Sequence, residues 1–406
     1  MQLTPDKQAE LLRALQDALD DRALAAAMPD LAPLADTPPL PATLIADAKL
    51  HVVRHKDSGC VQFVFPGDVT PPSPALAPQG WDWIVQASLR AGERMTQAMI
   101  NKIEAHNKPE RLLALGRGRG HGQPVMPVMP EDLAAARGRK VLLLVHGVFS
   151  SVEGAFAALD LQPLLQRYEG RVFGYDHWTI AKTPQQNALN LLQRLPSNAG
   201  WDVDILCHSR GGLVVRSLLT EGMADIAQAR AGRIANVGKV IFVAAANQGS
   251  PLASADDIKQ FLNVAAMLAS FSPGMALDLV IGLARMVVSL GFGRPSVQAL
   301  ASGSALIEQL ERSGTLLTAA NSYYARANFA YGDSLLERTG ALLSKALIDS
   351  ANDLVVPYGN VLLPQAAPDA GHILNFGSAE HKQTEVWHTG FFQHPATRDF
   401  ITRQLA

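Results

Sequence analysis

Residues 203–212 read Val203-Asp204-Ile205-Leu206-Cys207-His208-Ser209-Arg210-Gly211-Gly212, an apolar strand pattern that breaks at Ser209 and restarts as a helix at Leu213-Val214-Val215. A serine on such a strand-to-helix corner is strained and aimed outward, the geometry of the Gly-x-Ser-x-Gly nucleophile elbow. Cys207 stands where that pattern has its first glycine, and cysteine is small enough to be tolerated; Gly211 and Gly212 follow the serine. Glycine suits these positions because strand and helix approach too closely for a β-carbon. The same serine also fits a simple turn ahead of a helix, where serine is common as a cap. The surrounding pattern decides between the two.

Outward from the corner, apolar runs alternate with helical spacing. Val141–Val145 is a continuous apolar run, the mark of a strand buried on both faces. A helix is expected over about 153–168, a strand over Arg171–Tyr175, a helix over about 184–194, and the elbow strand over Val203–Cys207. A helix over 213–221 and a strand over Lys239–Ala245 continue the series. The alternation predicts an α/β fold, a doubly wound, mostly parallel sheet with the active site at the carboxyl ends of its strands. The series is interrupted over about 253–318 by apolar helical segments, placed where a lid would sit. Strands are expected again over Arg326–Tyr331, near Leu362 and over Gly371–Phe376, with a closing helix over about 396–404.

The first third of the chain reads differently. Leu11, Leu12, Leu15, Leu19 and Leu24 give a helical stripe, followed by a proline-rich connector from Pro29 to Pro41. Lys49–Arg54 and Cys60–Phe65 read as a hairpin, and a helix is expected over about 81–105. The run Gly116-Arg117-Gly118-Arg119-Gly120-His121-Gly122 lacks the preceding strand and the Lys-Ser/Thr ending of a phosphate loop and the interleaved aromatics of an RNA contact. It reads as a linker. Residues 1–130 are thus an N-terminal extension of helices and a hairpin, and residues 131–406 the catalytic domain with its insertion at 253–318.

Composition narrows the function. Over 406 residues, 35 Lys and Arg against 37 Asp and Glu leave a net charge of −2, which gives no electrostatic case for nucleic acid. Hydrophobic residues at 48% and charged residues at 18% are an ordinary globular balance. Two cysteines, Cys60 and Cys207, form neither a disulfide framework nor a Cys-x-x-Cys metal or redox pair. The N-terminus has no apolar signal core, so a cytoplasmic location is expected. The apolar stretch Phe261–Phe292 is interrupted by Pro273, Asp278 and Arg285 and offers no clean run of about 20 residues for a membrane span.

A second segment bears on the corner. Val141-Leu142-Leu143-Leu144-Val145-His146-Gly147-Val148-Phe149 is a buried strand ending in His-Gly, ahead of the serine. An acyl-transfer site needs two preorganised N–H donors for its oxyanion. The residue after the nucleophile, Arg210, offers one backbone N–H, and the loop after the earlier strand offers the other, with Val148 the candidate. His146 is read as a loop brace, and His146, Phe149 and Gln248 are the possible substrate contacts.

Together these segments resemble the α/β-hydrolase superfamily, and within it the lipase-like serine esterases with a His-Gly-x oxyanion loop. Gly249-Ser250-Pro251-Leu252 resembles the turn after the sixth strand of such enzymes, Asn352-Asp353-Leu354-Val355-Val356-Pro357 their acid loop, and Trp387-His388-Thr389-Gly390-Phe391-Phe392 their histidine loop. The resemblance covers residues 139–406. It implies a triad of Ser209, His388 and Asp353 in the chain order Ser, Asp, His, an acyl-enzyme on Ser209, and no cofactor or metal. Asp333 and Asp349 are rival acids, and His381, His372 and His394 are rival bases. Asp353 also fits a plain Asx turn beside Asn352. The implied substrate is a small-molecule or lipid-like acyl ester. An amidase, thioesterase or acyltransferase on the same triad, or a non-catalytic scaffold binding a protein partner through its N-terminal extension, are the other readings.

Overall fold

The structure, a computed structural model, describes residues 49–55, 61–64, 81–88, 109–116, 126–148, 150–179, 181–250, 295–330, 351–353, 355–365 and 368–405. The chain divides into two compact units, one formed by Met1–Asn107, Ser254–Arg294 and Gly332–Ser344, the other by Lys108–Ala253, Pro295–Tyr331 and Lys345–Ala406.

The first unit contains an antiparallel sheet of β1 (Lys49–His55), β2 (Val61–Val64) and β3 (Trp81–Ser88) in the order β2-β1-β3. β1 and β2 pair as the expected hairpin, with Val52 opposite Phe63. Trp81–Ser88 is a strand, not the start of the expected helix. Trp81, Trp83, Ile84 and Val85 are aromatic or β-branched and favour extended backbone, and β1 supplies a partner from Lys49–Ser88 to His55–Trp81. The rest of that expected helix, and the leucine stripe of residues 1–30, lie outside the described residues.

The second unit is built on an eight-stranded sheet of β4 (Arg111–Ala114), β5 (Met126–Pro127), β6 (Lys140–Val145), β7 (Val172–Asp176), β8 (Trp201–His208), β9 (Ile234–Val243), β10 (Ser322–Ala327) and β11 (Ile373–Phe376). Their order is β11-β10-β9-β8-β6-β7-β4-β5. Every pairing from β7 to β11 is parallel, whereas β4 runs antiparallel to both β7 and β5. Its described helices are α1 (Pro130–Ala135), α2 (Val152–Ala155), α3 (Gln162–Arg167), α4 (Pro184–Gln193), α5 (Gly211–Leu219), α6 (Ala224–Arg230), α7 (Pro295–Gln298), α8 (Ala305–Arg312) and α9 (Pro395–Leu405).

Side-chain alternation explains the layers. Leu142, Leu144, Leu206, Ile241, Val243 and Ala325 on one sheet face share a core with Val152, Leu164, Phe400 and Ile401 from α2, α3 and α9. The intervening Val141, Leu143, Val145, Val203, Ile205 and Cys207 face the other way and are equally buried, on the side where α5 packs against β6 and β8. This is a doubly wound α/β fold on a mostly parallel sheet. From β6 the chain steps to β7 on one side and then to β8 on the other, so a crevice opens between the carboxyl ends of β6 and β8. His146-Gly147 and Ser209 stand at those two ends.

Several elements differ in detail from expectation. The helix over 153–168 is two short helices, because Pro163 is tolerated only in a first turn and so starts α3. Near Leu362 there is no strand but a 3-10 turn over Tyr358–Val361, capped by Pro357 at its start and by Leu362 at its end. The sheet also takes in β4 and β5, which precede residue 131. Of the 253–318 insertion, residues 253–294 lie outside the described residues, and the remainder carries α7 and α8. Among the described residues no helix is long and apolar enough to cross a membrane.

Candidate active site

Ser209 closes β8 with φ of 55°, in the left-handed region that disfavours side-chain-bearing residues. Three backbone bonds hold it there. Its N–H donates to Val243 O at 3.1 Å, and its carbonyl accepts from Gly212 N at 3.0 Å and Ala246 N at 3.2 Å. Such strain persists where the surroundings over-determine it. The glycines explain themselves by contact: a Cβ on Gly211 would lie 2.5 Å from Val145 O, and one on Gly212 2.7 Å from the Ala245 methyl. Cys207 is fully buried at the elbow's first small position, where its Sγ lies 3.5 Å from Ile241 O. Burial pushes its thiol well above the usual range, so it is a packing residue and not a thiolate.

His388 stands between Ser209 and Asp353. Its Nε2 lies 2.9 Å from Ser209 Oγ and its Nδ1 2.9 Å from Asp353 Oδ2. The carboxylate can only accept, so Nδ1 carries the proton and bare Nε2 accepts from the serine hydroxyl. All three side chains are buried, with Ser209 4%, His388 5% and Asp353 1% exposed. Asp353 is fixed by its other oxygen, since Oδ1 accepts from Val355 N at 3.0 Å and Val356 N at 2.7 Å. The Asx turn and the contact with His388 therefore coexist in one carboxylate. The histidine loop is tied to the same place, with His388 N donating to Asp353 O at 3.0 Å.

The rival residues stand elsewhere. His381 is exposed and bonds Ser378 Oγ, His372 is partly exposed against Ala319 O, and His394 Nδ1 accepts from Ala396 N while Nε2 meets Glu385. Asp333, Asp349 and Phe149 lie outside the described residues.

The loop after β6 lies against the serine. A Cβ on Gly147 would meet Ser209 Cβ at 2.7 Å and Oγ at 3.2 Å, so only glycine lets the loop come this close. His146 is buried with Nδ1 donating to Gly147 O at 2.7 Å and Nε2 accepting from His177 N at 3.1 Å. Its ring stacks on His177 with centroids 4.0 Å apart. Those bonds brace the loop. Val148 follows, half-buried. Arg210 is buried at the N-cap of α5, where its guanidinium donates to Lys182 O at 2.6 Å. Gln248 spends its amide on the Leu362 and Gly359 carbonyls, 2.9 and 3.3 Å away, and so staples the segment after the acid loop.

Two contacts escaped sequence reasoning. His177 and Asp176 surround the brace, Asp176 Oδ1 accepting from Val152 N and Oδ2 from Arg111 Nε. His208 donates to the backbone of His388 at 2.9 Å. Adjacency to Ser209 was the one signal for His208, and nothing in the pattern marked the others. Among the described residues no group of three or more His, Cys, Asp and Glu could hold a metal ion.

A family model described as "Domain of unknown function (DUF7379)" matches residues 119–406. No curated protein matches the chain. Among solved structures, the chain is similar to Bacillus licheniformis lipase BlEst2 in mature form, with a TM-score of 0.39 and 18% identity over 70% of this chain and 96% of that one. It is similar to lipase 1 from Pelosinus fermentans at a TM-score of 0.41 and 13% identity, over 66% and 97% of the two chains. EstA from Clostridium botulinum gives 0.40 and 12%, over 66% and 86%.

Proposed function

The chain belongs to the DUF7379 family, whose description assigns no activity, and from the site itself we propose that it is a serine hydrolase cleaving a carboxylic ester through an acyl-enzyme on Ser209. The observation that carries the reading is the unbroken relay Ser209 Oγ to His388 Nε2 and His388 Nδ1 to Asp353 Oδ2, each step 2.9 Å, on a serine held at positive φ. In this reading residues 131–406 are the catalytic domain.

The steps follow from the proton positions. His388 takes the Ser209 proton as the oxygen attacks the acyl carbonyl, and the buried Asp353 carboxylate stabilises the imidazolium that forms. The negative oxygen of the tetrahedral intermediate is met by the backbone N–H groups of Arg210 and Val148. His388 returns the proton to the leaving alcohol, the ester bond breaks, and the acyl group stays on Ser209. Water, deprotonated by His388, then attacks the acyl-enzyme and releases the acid.

A fluorophosphonate probe tests this directly. Folded wild-type protein is expected to label on the Ser209 peptide and to hydrolyse a short p-nitrophenyl ester, and Ser209→Ala to do neither. A wild type that does not label, or labelling that survives Ser209→Ala, overturns the proposal.

A further inference from the structure

His208 stands immediately before Ser209, and none of the steps above uses it. Its ring is buried, and its Nε2 lies 2.9 Å from the backbone oxygen of His388. A carbonyl only accepts, so Nε2 carries the proton and Nδ1 is a bare acceptor. Among the described residues that Nδ1 has no hydrogen-bond partner. An unsatisfied buried acceptor costs stability, and a well-packed apolar side chain would avoid the cost. The imidazole bears that cost while its other nitrogen bonds the His388 backbone.

The ring touches each part of the site. It is covalently next to the nucleophile. It lies tilted against the His388 ring with centroids 4.9 Å apart and edge-on to Phe392 at 5.6 Å. Its Nδ1 edge faces the loop after β6, where a Cβ on Gly147 would come within 3.3 Å. The His388 loop leaves the sheet long after β8, and the side chain of His208 ties the backbone of that loop to the end of β8.

We propose that His208 is a positioning residue of this site, its Nε2–H holding the His388 backbone so that the His388 ring keeps Ser209 Oγ and Asp353 Oδ2 within reach together. The proposal rests on the serine-hydrolase reading. Burial, reinforced by the neighbouring His388, pushes the His208 imidazole down to about 3, so its donor tautomer persists while His388 gains and loses its proton. A neutral neighbour also leaves the His388 imidazolium unopposed.

Packing alone and donation make different demands. His208→Phe keeps a ring of similar size and removes the donor. His208→Gln carries an amide N–H about as far as Nε2, and His208→Asn only about as far as Nδ1. The measurements are kcat and KM for the ester, the rate of Ser209 labelling, and the downfield proton resonance of the His388 Nδ1–H bonded to Asp353. His208→Phe is expected to lower kcat about 10-fold or more, with KM within about 2-fold, and to broaden or lose the resonance. His208→Gln is expected to recover most of the rate, and His208→Asn to stay slow. His208→Phe at the wild-type rate overturns the proposal, as does His208→Asn matching His208→Gln, an arm that holds even where the phenylalanine variant does not fold. A wild type that fails to label at Ser209 overturns the serine-hydrolase reading and this inference with it. A labelled wild type with indifferent His208 variants overturns this inference alone.

Discussion

At Asp353 one carboxylate has two separable duties. Oδ1 closes a turn by accepting the Val355 and Val356 N–H groups, and Oδ2 faces Nδ1 of His388. Asparagine can keep the first duty, since its amide oxygen accepts the same two N–H groups. It cannot keep the second, because an NH2 group facing Nδ1–H forces the imidazole into the other tautomer and removes the base from Ser209. Asp353→Asn is therefore expected to fold with a melting temperature close to wild type while kcat falls by about 10³–10⁴, the scale known for such a change in triads. Ester turnover alongside a thermal melt checks both halves. A variant that melts early and keeps its turnover would mean the turn is the residue's whole purpose. Asp353 was legible in sequence as an acid and as an Asx turn, and spacing could not choose between them because the turn uses one carboxylate oxygen and His388 the other.

Between elements, Glu110 holds β4 to its neighbours. Its carboxylate accepts from Tyr175 Oη at 2.6 Å on β7, from Lys182 Nζ at 2.6 Å, and from Asn190 Nδ2 at 3.2 Å on α4, with Arg194 at 3.3 Å. Burial raises its pKa, but the Lys182, Tyr175 and Asn190 bonds outweigh it and leave the carboxyl below the ordinary value of 4.5. A depressed carboxylate contributes stability that is present above its unfolded pKa and is lost as pH falls through the folded one. Glu110→Ala is expected to cost about 2 kcal/mol in chemical denaturation at pH 7, the worth of hydrogen bonds to a charged group, with the gap to wild type narrowing as pH falls below the ordinary value of 4.5 and through the lower folded one. A gap that persists unchanged at low pH would assign the loss to packing. None of this was readable beforehand. β4 is only Arg-Leu-Leu-Ala, too short for a period to show, and its antiparallel pairing with β7 is a tertiary choice. The central strands were legible because β6 to β9 are buried on both faces and so read as unbroken apolar runs. Even there β9 starts at Ile234, earlier than expected, because its first residues are exposed or half-buried and break the run. Trp81–Ser88 went the other way, as a strand whose partner β1 lies outside any local window.

Across the whole molecule, the site depends on closing residues 209, 353 and 388 from distant parts of the chain, and the last of these is seated by the core. Phe391 and Phe392 follow His388 after Thr389 and Gly390 and are buried with Phe400, Ile401 and Leu405 in one cluster with β6, β8 and β9. Phe392 meets Phe156 at 5.0 Å and the His208 ring at 5.6 Å, whereas Phe400 packs further along the chain, in α9. Truncating either aromatic leaves a cavity and is expected to cost about 3–5 kcal/mol. The two differ in what the cavity adjoins. Phe400→Ala removes packing in the same core but, among the described residues, no ring contact with His208 or His388, so below its lowered melting point it should hydrolyse ester within about 3-fold of wild type. Phe392→Ala opens space against the ring that carries the His388 anchor, and a shift there of even 1 Å is enough to cost about 100-fold in rate. Denaturation midpoints place the two variants together, and kcat measured well below both melts separates them. Equal turnover in the two would mean that the core supports the histidine loop only globally, and that the chain from Phe392 through His208 to His388 carries no positional information.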